Sequence, residues 1–279
     1  MRSHLLSIIA CLCLALPASG QTLQRIKETS KLNLGYRADA APLSFQKPDG
    51  NPAGYTPLIC LHVGQAIANA LKLENLEATF VAVGTEDRFD KVASGEIDLL
   101  CGAATITLTR RSIVDFSDPV YVDGTAILQH RGASGKFADM AGQKLGVRAG
   151  TTTQEALTTS MTEAGIDAEI VTFASHQNGL DAMEAKEIDA YFADQSLLTA
   201  LLANSLDPEA YQISDEILTI EKQGLALARG DSDFRQIVDA AIAGLYANGK
   251  MREIFDQAMP DLQPGVALQA MYLLAPTLR

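Results

Sequence analysis

A chain of 279 residues holds one large domain or two smaller ones, each able to bury a sizeable core. With 47% hydrophobic and 20% charged residues, disordered, collagen-like and low-complexity classes are excluded. The 22 Lys and Arg against 34 Asp and Glu leave a net charge of −12, which argues against a nucleic-acid duplex or an anionic lipid surface as partner.

Arg2 and His4 precede the apolar run Leu5 to Leu16, and Ala18-Ser19-Gly20 supplies small residues at the cleavage positions. A secretory signal peptide over residues 1–20, cut between Gly20 and Gln21, is expected. The apolar run is too short to span a bilayer. Ile8-Ile9-Ala10-Cys11 fits a lipoprotein box only loosely and sits before the apolar run ends, so a soluble periplasmic chain is expected. Export leaves Cys60 and Cys101 as the two mature thiols. An oxidising compartment favours one disulfide between them, and two separate buried thiols are the alternative.

Leu32 to Tyr36 alternates with period two and reads as a first strand. Thr56 is expected to N-cap a helix with Pro57 at its first position, burying Leu58, Ile59, Val63, Ile67 and Leu71. A strand from Thr79 to Val83, a helix from Glu86 to Ser94 and a strand from Ile97 to Cys101 follow. A second stretch repeats the order: strand Lys144 to Val147, a helix opened by Gly150-Thr151-Thr152-Thr153, strand Glu169 to Phe173, helix Asn178 to Ala185, strand Ile188 to Phe192. Ser94-Gly95-Glu96-Ile97-Asp98 is echoed by Ala185-Lys186-Glu187-Ile188-Asp189. The doubled βαβ pattern predicts two α/β lobes with parallel sheets covered by helices and a cleft between them. Ser232 to Met259 reads as one long helix.

Catalytic constellations are lacking. His62, His130 and His176 have no metal-ligand spacing, and no nucleophile elbow, phosphate loop or dinucleotide fingerprint occurs, so no catalytic residue, metal or cofactor is expected. The stretch Cys101 to Arg110 follows a buried strand, and α/β sheets bind ligands at the carboxyl ends of their strands. Its hydroxyls, its backbone amides and Arg110 suit a carboxylate, which guanidinium pairs bidentately.

Ala41-Pro42-Leu43-Ser44-Phe45, Gly54-Tyr55 before a helix, Ser94-Gly95-Glu96-Ile97-Asp98, Thr105-Ile106-Thr107 with Arg110, and Asp115-Phe116-Ser117-Asp118-Pro119 together resemble the polar amino acid-binding proteins of bacterial ATP-binding-cassette importers. The resemblance continues through Arg148-Ala149-Gly150-Thr151, Asp194, Gly224 and Asn248-Gly249. It implies the two-lobed type II periplasmic binding protein fold. Lobe one would take residues 21–119 and 224–279, lobe two 125–218, with hinge crossovers at 120–124 and 219–223. A membrane permease would be the partner, the protein a monomer, and binding would close the lobes without catalysis.

Gly35-Tyr36-Arg37, Ile59-Cys60, Asp98-Leu99-Leu100-Cys101-Gly102 and Gly150-Thr151-Thr152 most resemble the glutamate/aspartate-binding branch. That resemblance implies Arg110 and Thr105 on the ligand's α-carboxylate and Asp194 on its ammonium. It implies Arg37 and Arg88 on the side-chain carboxylate, contacts from Thr151 and His176, and the Cys60–Cys101 disulfide. Ala103, Arg148 and Thr56-Pro57-Leu58 depart from the branch pattern. Arg148 stands where other branches carry a basic residue that meets a carboxylate.

Four arginines in one cleft exceed what a neutral zwitterion needs, so an acidic ligand is expected. Each residue also has a plainer reading. Arg37, Arg88 and Arg148 would be solvated surface charges, and Asp194, His176 and Thr151 to Thr153 helix caps. Tyr55 would be a core aromatic rather than a cleft wall. Two rivals remain open. One is a dicarboxylate binder, which would not need Asp194. The other is a dehydratase-type enzyme on the same fold, for which Asp194 or Glu155 would be the acid.

Overall fold

The computed structural model describes residues 21–275. The expected signal peptide and its lipoprotein-like box lie outside the described residues. In chain order the elements are α1 (Gln21–Thr29), β1 (Lys31–Arg37), β2 (Asp39–Ala40), β3 (Ser44–Gln46), β4 (Pro52–Ala53), α2 (Tyr55–Leu71), β5 (Glu77–Val83), α3 (Arg88–Ala93), β6 (Leu99–Leu100), α4 (Leu108–Arg111) and β7 (Val114–Asp123). Then follow β8 (Thr125–His130), β9 (Lys144–Arg148), α5 (Thr152–Ala164), β10 (Glu169–Phe173), α6 (His176–Glu184), β11 (Ala190–Asp194), α7 (Gln195–Ala203) and β12 (Tyr211–Ile213). The chain ends in β13 (Glu221–Ala228), α8 (Ser232–Ala247), α9 (Lys250–Ala258) and α10 (Val266–Leu274).

Two five-stranded sheets, β5-β1-β6-β13-β7 and β10-β9-β11-β8-β12, form the centres of two lobes. In the first, β1 runs parallel to β5 and β6, while β13 is antiparallel to β6 and β7. The second repeats this, with β9 parallel to β10 and β11, and β8 antiparallel to β11 and β12. Apolar runs in the central strands are buried on both faces, as helix-covered parallel sheets require. Ile59, Val63 and Ile67 of α2 join Leu32 and Leu34 of β1 and Phe234, Val238 and Ile242 of α8 in one core. Leu145, Val147, Leu157 and Phe192 fill one side of the second sheet.

The chain passes between the sheets twice. β7 and β8 are separated only by Gly124, and the return reaches β13 at Glu221, which pairs with Asp123. Cys60 of α2 and Cys101 after β6 form a disulfide with Cα atoms 6.1 Å apart.

Local differences from the sequence reading have physical causes. Gly54, not Thr56, holds the N-cap of α2. The Thr56 hydroxyl is drawn inward, 2.9 Å from both the Leu43 and Cys101 carbonyl oxygens. Ser232 to Met259 is two helices, because Asn248-Gly249 breaks the ladder and Gly249 adopts φ 76°, open to glycine. The strand expected at Ile188 to Phe192 runs instead from Ala190 to Asp194, which brings Asp194 to the carboxyl edge of its sheet. Tyr55 is fully buried and donates to the Val120 carbonyl at 3.0 Å, a packing role.

Candidate functional site

β1, β6, β9 and β11 point their carboxyl ends into the space between the lobes, where open α/β sheets bind ligands. A small cavity of about 30 Å³ lies there. Arg37, Arg88, Thr105, Arg110, Thr151, His176 and Asp194 all line it, with Ala103, Thr152, Thr153 and Leu197. Arg148 is not on its wall.

Three of the arginines are almost wholly buried: Arg37 at 3% exposure, Arg88 at 2% and Arg148 at 7%. Their surface-charge reading is therefore wrong for this fold. Arg37 ends β1 and donates from Nε to Asp39 Oδ1 at 2.8 Å, with Nη2 at 2.6 Å from the same oxygen. Arg148 ends β9 in the other lobe, and its Nε donates to Asp39 Oδ2 at 3.1 Å. One carboxylate thus joins two guanidiniums across the cleft. Burial acts to raise the Asp39 pKa, but Arg37 leads the opposing influences and the carboxyl stays below its usual range.

Arg88 has no such partner. Its Nη2 reaches only the Gly150 carbonyl, at 3.5 Å, and its buried Nε and Nη1 have no hydrogen-bond partner among the described residues. Burial and the neighbouring Arg37, Arg110 and Arg148 hold its pKa well below the usual arginine value. Arg110 lies on α4, capped by Thr107, and donates from Nη1 to the Thr105 carbonyl at 2.9 Å. Both Arg88 and Arg110 stack against the Phe89 ring, at 4.9 and 5.1 Å from its centre.

Acidic groups gather beside the two crossovers. Asp194 holds the N-cap position of α7 without making a side-chain cap bond; Oδ2 instead accepts from Gln223 Nε2 at 2.7 Å. Glu221 accepts from Thr105 Oγ1 at 2.6 Å and from Thr152 Oγ1 at 2.8 Å, so it too joins the lobes. Burial, then the charges of Asp123 and Glu221, raise Asp194 well above the ordinary carboxylate pKa. Asp123 is pushed up to about 6, chiefly by burial. A cation set beside Asp194 would relieve this accumulation of negative charge.

Thr151 caps α5, accepting from Gln154 N at 3.2 Å, which turns the positive end of that helix toward the cavity. Ser175 rather than His176 caps α6. The His176 ring pairs through Nδ1 with Tyr191 Oη at 3.1 Å, and burial pushes its pKa down to about 3, so it is neutral. Glu155 is exposed on α5 and does not line the cavity. Asp39 and Glu221 are charged residues at the site that sequence reasoning missed, as it missed Leu197 on the wall and Gln223 beside Asp194. Asp39 carried a usable signal, standing two residues after Arg37 at the end of the first strand.

A family model for bacterial extracellular solute-binding proteins, family 3, matches residues 32–261. The L-glutamate/L-aspartate-binding protein of Pseudomonas aeruginosa is 29% identical over 238 residues, covering 85% of this chain and 79% of that protein. The glutamate/aspartate import solute-binding protein of Escherichia coli K12 is 25% identical over 244 residues, 87% of this chain and 81% of its own. Among solved structures, an ancestral arginine-binding protein bound to arginine superposes with a TM-score of 0.74 at 22% identity, covering 82% of this chain and 98% of that one. With this fold, and with its polar side chains converging between two lobes, the chain belongs to the bacterial extracellular solute-binding proteins of family 3.

Proposed function

We propose that this protein is the periplasmic amino acid-binding component of an ATP-binding-cassette importer, with glutamate, aspartate or a related acidic amino acid as ligand. The observation that carries this reading is Arg88, a buried guanidinium with two unpartnered nitrogens at a cavity wall. An unpaired buried charge costs several kcal/mol, and a ligand carboxylate relieves that cost. Arg110 and Thr105 take the α-carboxylate, Asp194 the ammonium, and Arg88 with Arg37 the side-chain carboxylate. Thr151 at the α5 N-terminus and neutral His176 complete the enclosure. Arg148 acts through Asp39 rather than by touching the ligand. Resemblance to glutamate/aspartate-binding relatives supports the ligand class.

Residues 21–119 and 224–279 move as one lobe against 125–218, pivoting at 120–124 and 219–223. The closed monomer docks on a membrane permease and releases its ligand unchanged. The test is a thermal-shift screen of refolded mature protein against the twenty amino acids and common dicarboxylates. At a thousand times its dissociation constant a ligand adds about 4 kcal/mol of stability. A shift confined to acidic amino acids or their amides supports this reading. Shifts with neutral or basic amino acids overturn the acidic ligand, and turnover of the bound compound overturns the importer role.

A further inference from the structure

Four arginines meet at the cleft, yet they differ in what they have left to give. Arg37 Nε and Arg148 Nε both donate to Asp39, and Arg148 Nη1 also lies 3.3 and 3.4 Å from the Ala149 and Phe173 carbonyls. Arg88 keeps its buried Nε and Nη1 without a hydrogen-bond partner among the described residues, and Arg37 Nη2, though paired by charge with Asp39, makes no hydrogen bond there either. Beyond the cavity lies an adjoining space of about 280 Å³, partly open to solvent and lined by Asp39. His176 and Leu197 line both spaces and so mark the border between them.

Resting on the acidic-ligand reading above, we propose that Asp39 is a specificity-determining residue. It is a resident carboxylate filling the seat between Arg37 and Arg148, which stops the ligand's side-chain carboxylate at Arg88 and Arg37 Nη2 and restricts the site to short acidic amino acids. A ligand one methylene longer would carry its carboxylate past Arg88 toward that seat. There it would compete with Asp39 for the same guanidinium N–H groups and set two carboxylates in contact. The Asp39 carboxylate is held from both lobes, so displacing it would also undo a contact across the cleft.

Titration calorimetry of aspartate, glutamate and 2-aminoadipate tests this on wild type and on Asp39→Ala, Asp39→Asn and Arg148→Gln. Wild type should bind 2-aminoadipate at least 100-fold more weakly than the better of the two shorter ligands. In Asp39→Ala the longer ligand's carboxylate takes the vacated seat, and the gap should narrow tenfold or more. Should that variant not fold, Asp39→Asn should narrow the gap in the same direction by threefold or more. Arg148→Gln removes the contact across the cleft but keeps the resident carboxylate, so it should weaken all three ligands alike. An unmoved gap in the folded Asp39 variants, or tight 2-aminoadipate binding by wild type, would overturn the proposal alone. Wild type binding none of the three would overturn the acidic-ligand reading together with it.

Discussion

Arg37 and Arg148 end corresponding strands of the two lobes and donate to opposite oxygens of one carboxylate, Asp39, at 2.8 and 3.1 Å. Leu34-Gly35-Tyr36-Arg37 in β1 matches Leu145-Gly146-Val147-Arg148 in β9, and each strand is flanked by two parallel neighbours. The correspondence extends to their amino ends. The Asn33 amide donates to Asp98 Oδ2 and the Lys144 amide to Asp189 Oδ2, both at 2.8 Å. The two lobes therefore present one architecture twice, with a guanidinium at the same strand end in each. A single acidic residue after β1 makes that pair a link across the cleft instead of a repulsion.

Arg88 is expected to trade stability for function. Arg88→Met replaces a buried, poorly partnered guanidinium by an apolar side chain of similar length, beside the Phe89 ring. Melting temperature without ligand should rise by a few degrees, because an uncompensated buried charge is removed. Affinity for the preferred acidic amino acid should fall at least 100-fold in calorimetry. A variant that loses stability yet binds normally would mean that the guanidinium serves the fold and not the ligand.

Much of this arrangement is legible in the chain itself. Apolar periodicity locates the central strands, and the Ser94 to Asp98 echo at Ala185 to Asp189 marks a genuine structural repeat, since Asp98 and Asp189 make equivalent contacts. Seven of the eight site residues expected, most of them from the family resemblance, line one cavity, and the stretch to Arg110 was also legible from its place after a buried strand. Pairing between side chains distant in sequence is not legible. Nothing local states that Arg148 turns toward Asp39, or that Glu221 bridges Thr105 and Thr152. The α8–α9 break was visible in Asn248-Gly249, but the apolar stripe running through it masked the signal.

Asp194 gives the site a pH signature. Its carboxyl is raised well above the usual range, with Asp123 beside it at about 6, so part of this cluster carries protons near neutrality. A ligand ammonium favours the ionised carboxylate, so amino acid binding releases protons and affinity should fall as pH drops from 7 to 5. A dicarboxylate lacking the ammonium, such as glutarate, favours the protonated form and should bind better over the same interval. Asp194→Asn should cost amino acid binding at least 100-fold while sparing glutarate. Calorimetry at three pH values checks both directions, and parallel trends for the two ligands would remove Asp194 from the ammonium.

The Cys60–Cys101 disulfide closes a separation of 41 residues and ties α2 to the loop that carries Ala103 and Thr105 to the cavity. Chain entropy assigns it about 4 kcal/mol. The double variant Cys60→Ala, Cys101→Ala should therefore melt roughly 10 °C lower by calorimetry. Added reductant should shift wild type toward the variant. Equal melting temperatures would place the stabilisation of this loop in its apolar packing alone.

Gly124 sets how closely the two crossovers approach. A Cβ there would lie 2.3 Å from the Thr219 carbonyl oxygen and 2.6 Å from Ile217 Cγ2, so any side chain displaces backbone rather than a flexible tip. The neighbouring bonds fix the same spot: the Leu218 amide donates to the Thr125 carbonyl at 2.8 Å, and the Thr125 amide to Thr219 Oγ1 at 3.1 Å. Gly124→Ala should pry these segments apart at the proposed pivot. Closure would then be incomplete, so affinity should fall about tenfold, with the radius of gyration at saturating ligand staying above the wild-type value in small-angle scattering. Wild-type affinity and compaction in this variant would show that the crossovers relax freely and that closure is governed by the cleft contacts of Asp39 and Glu221 instead.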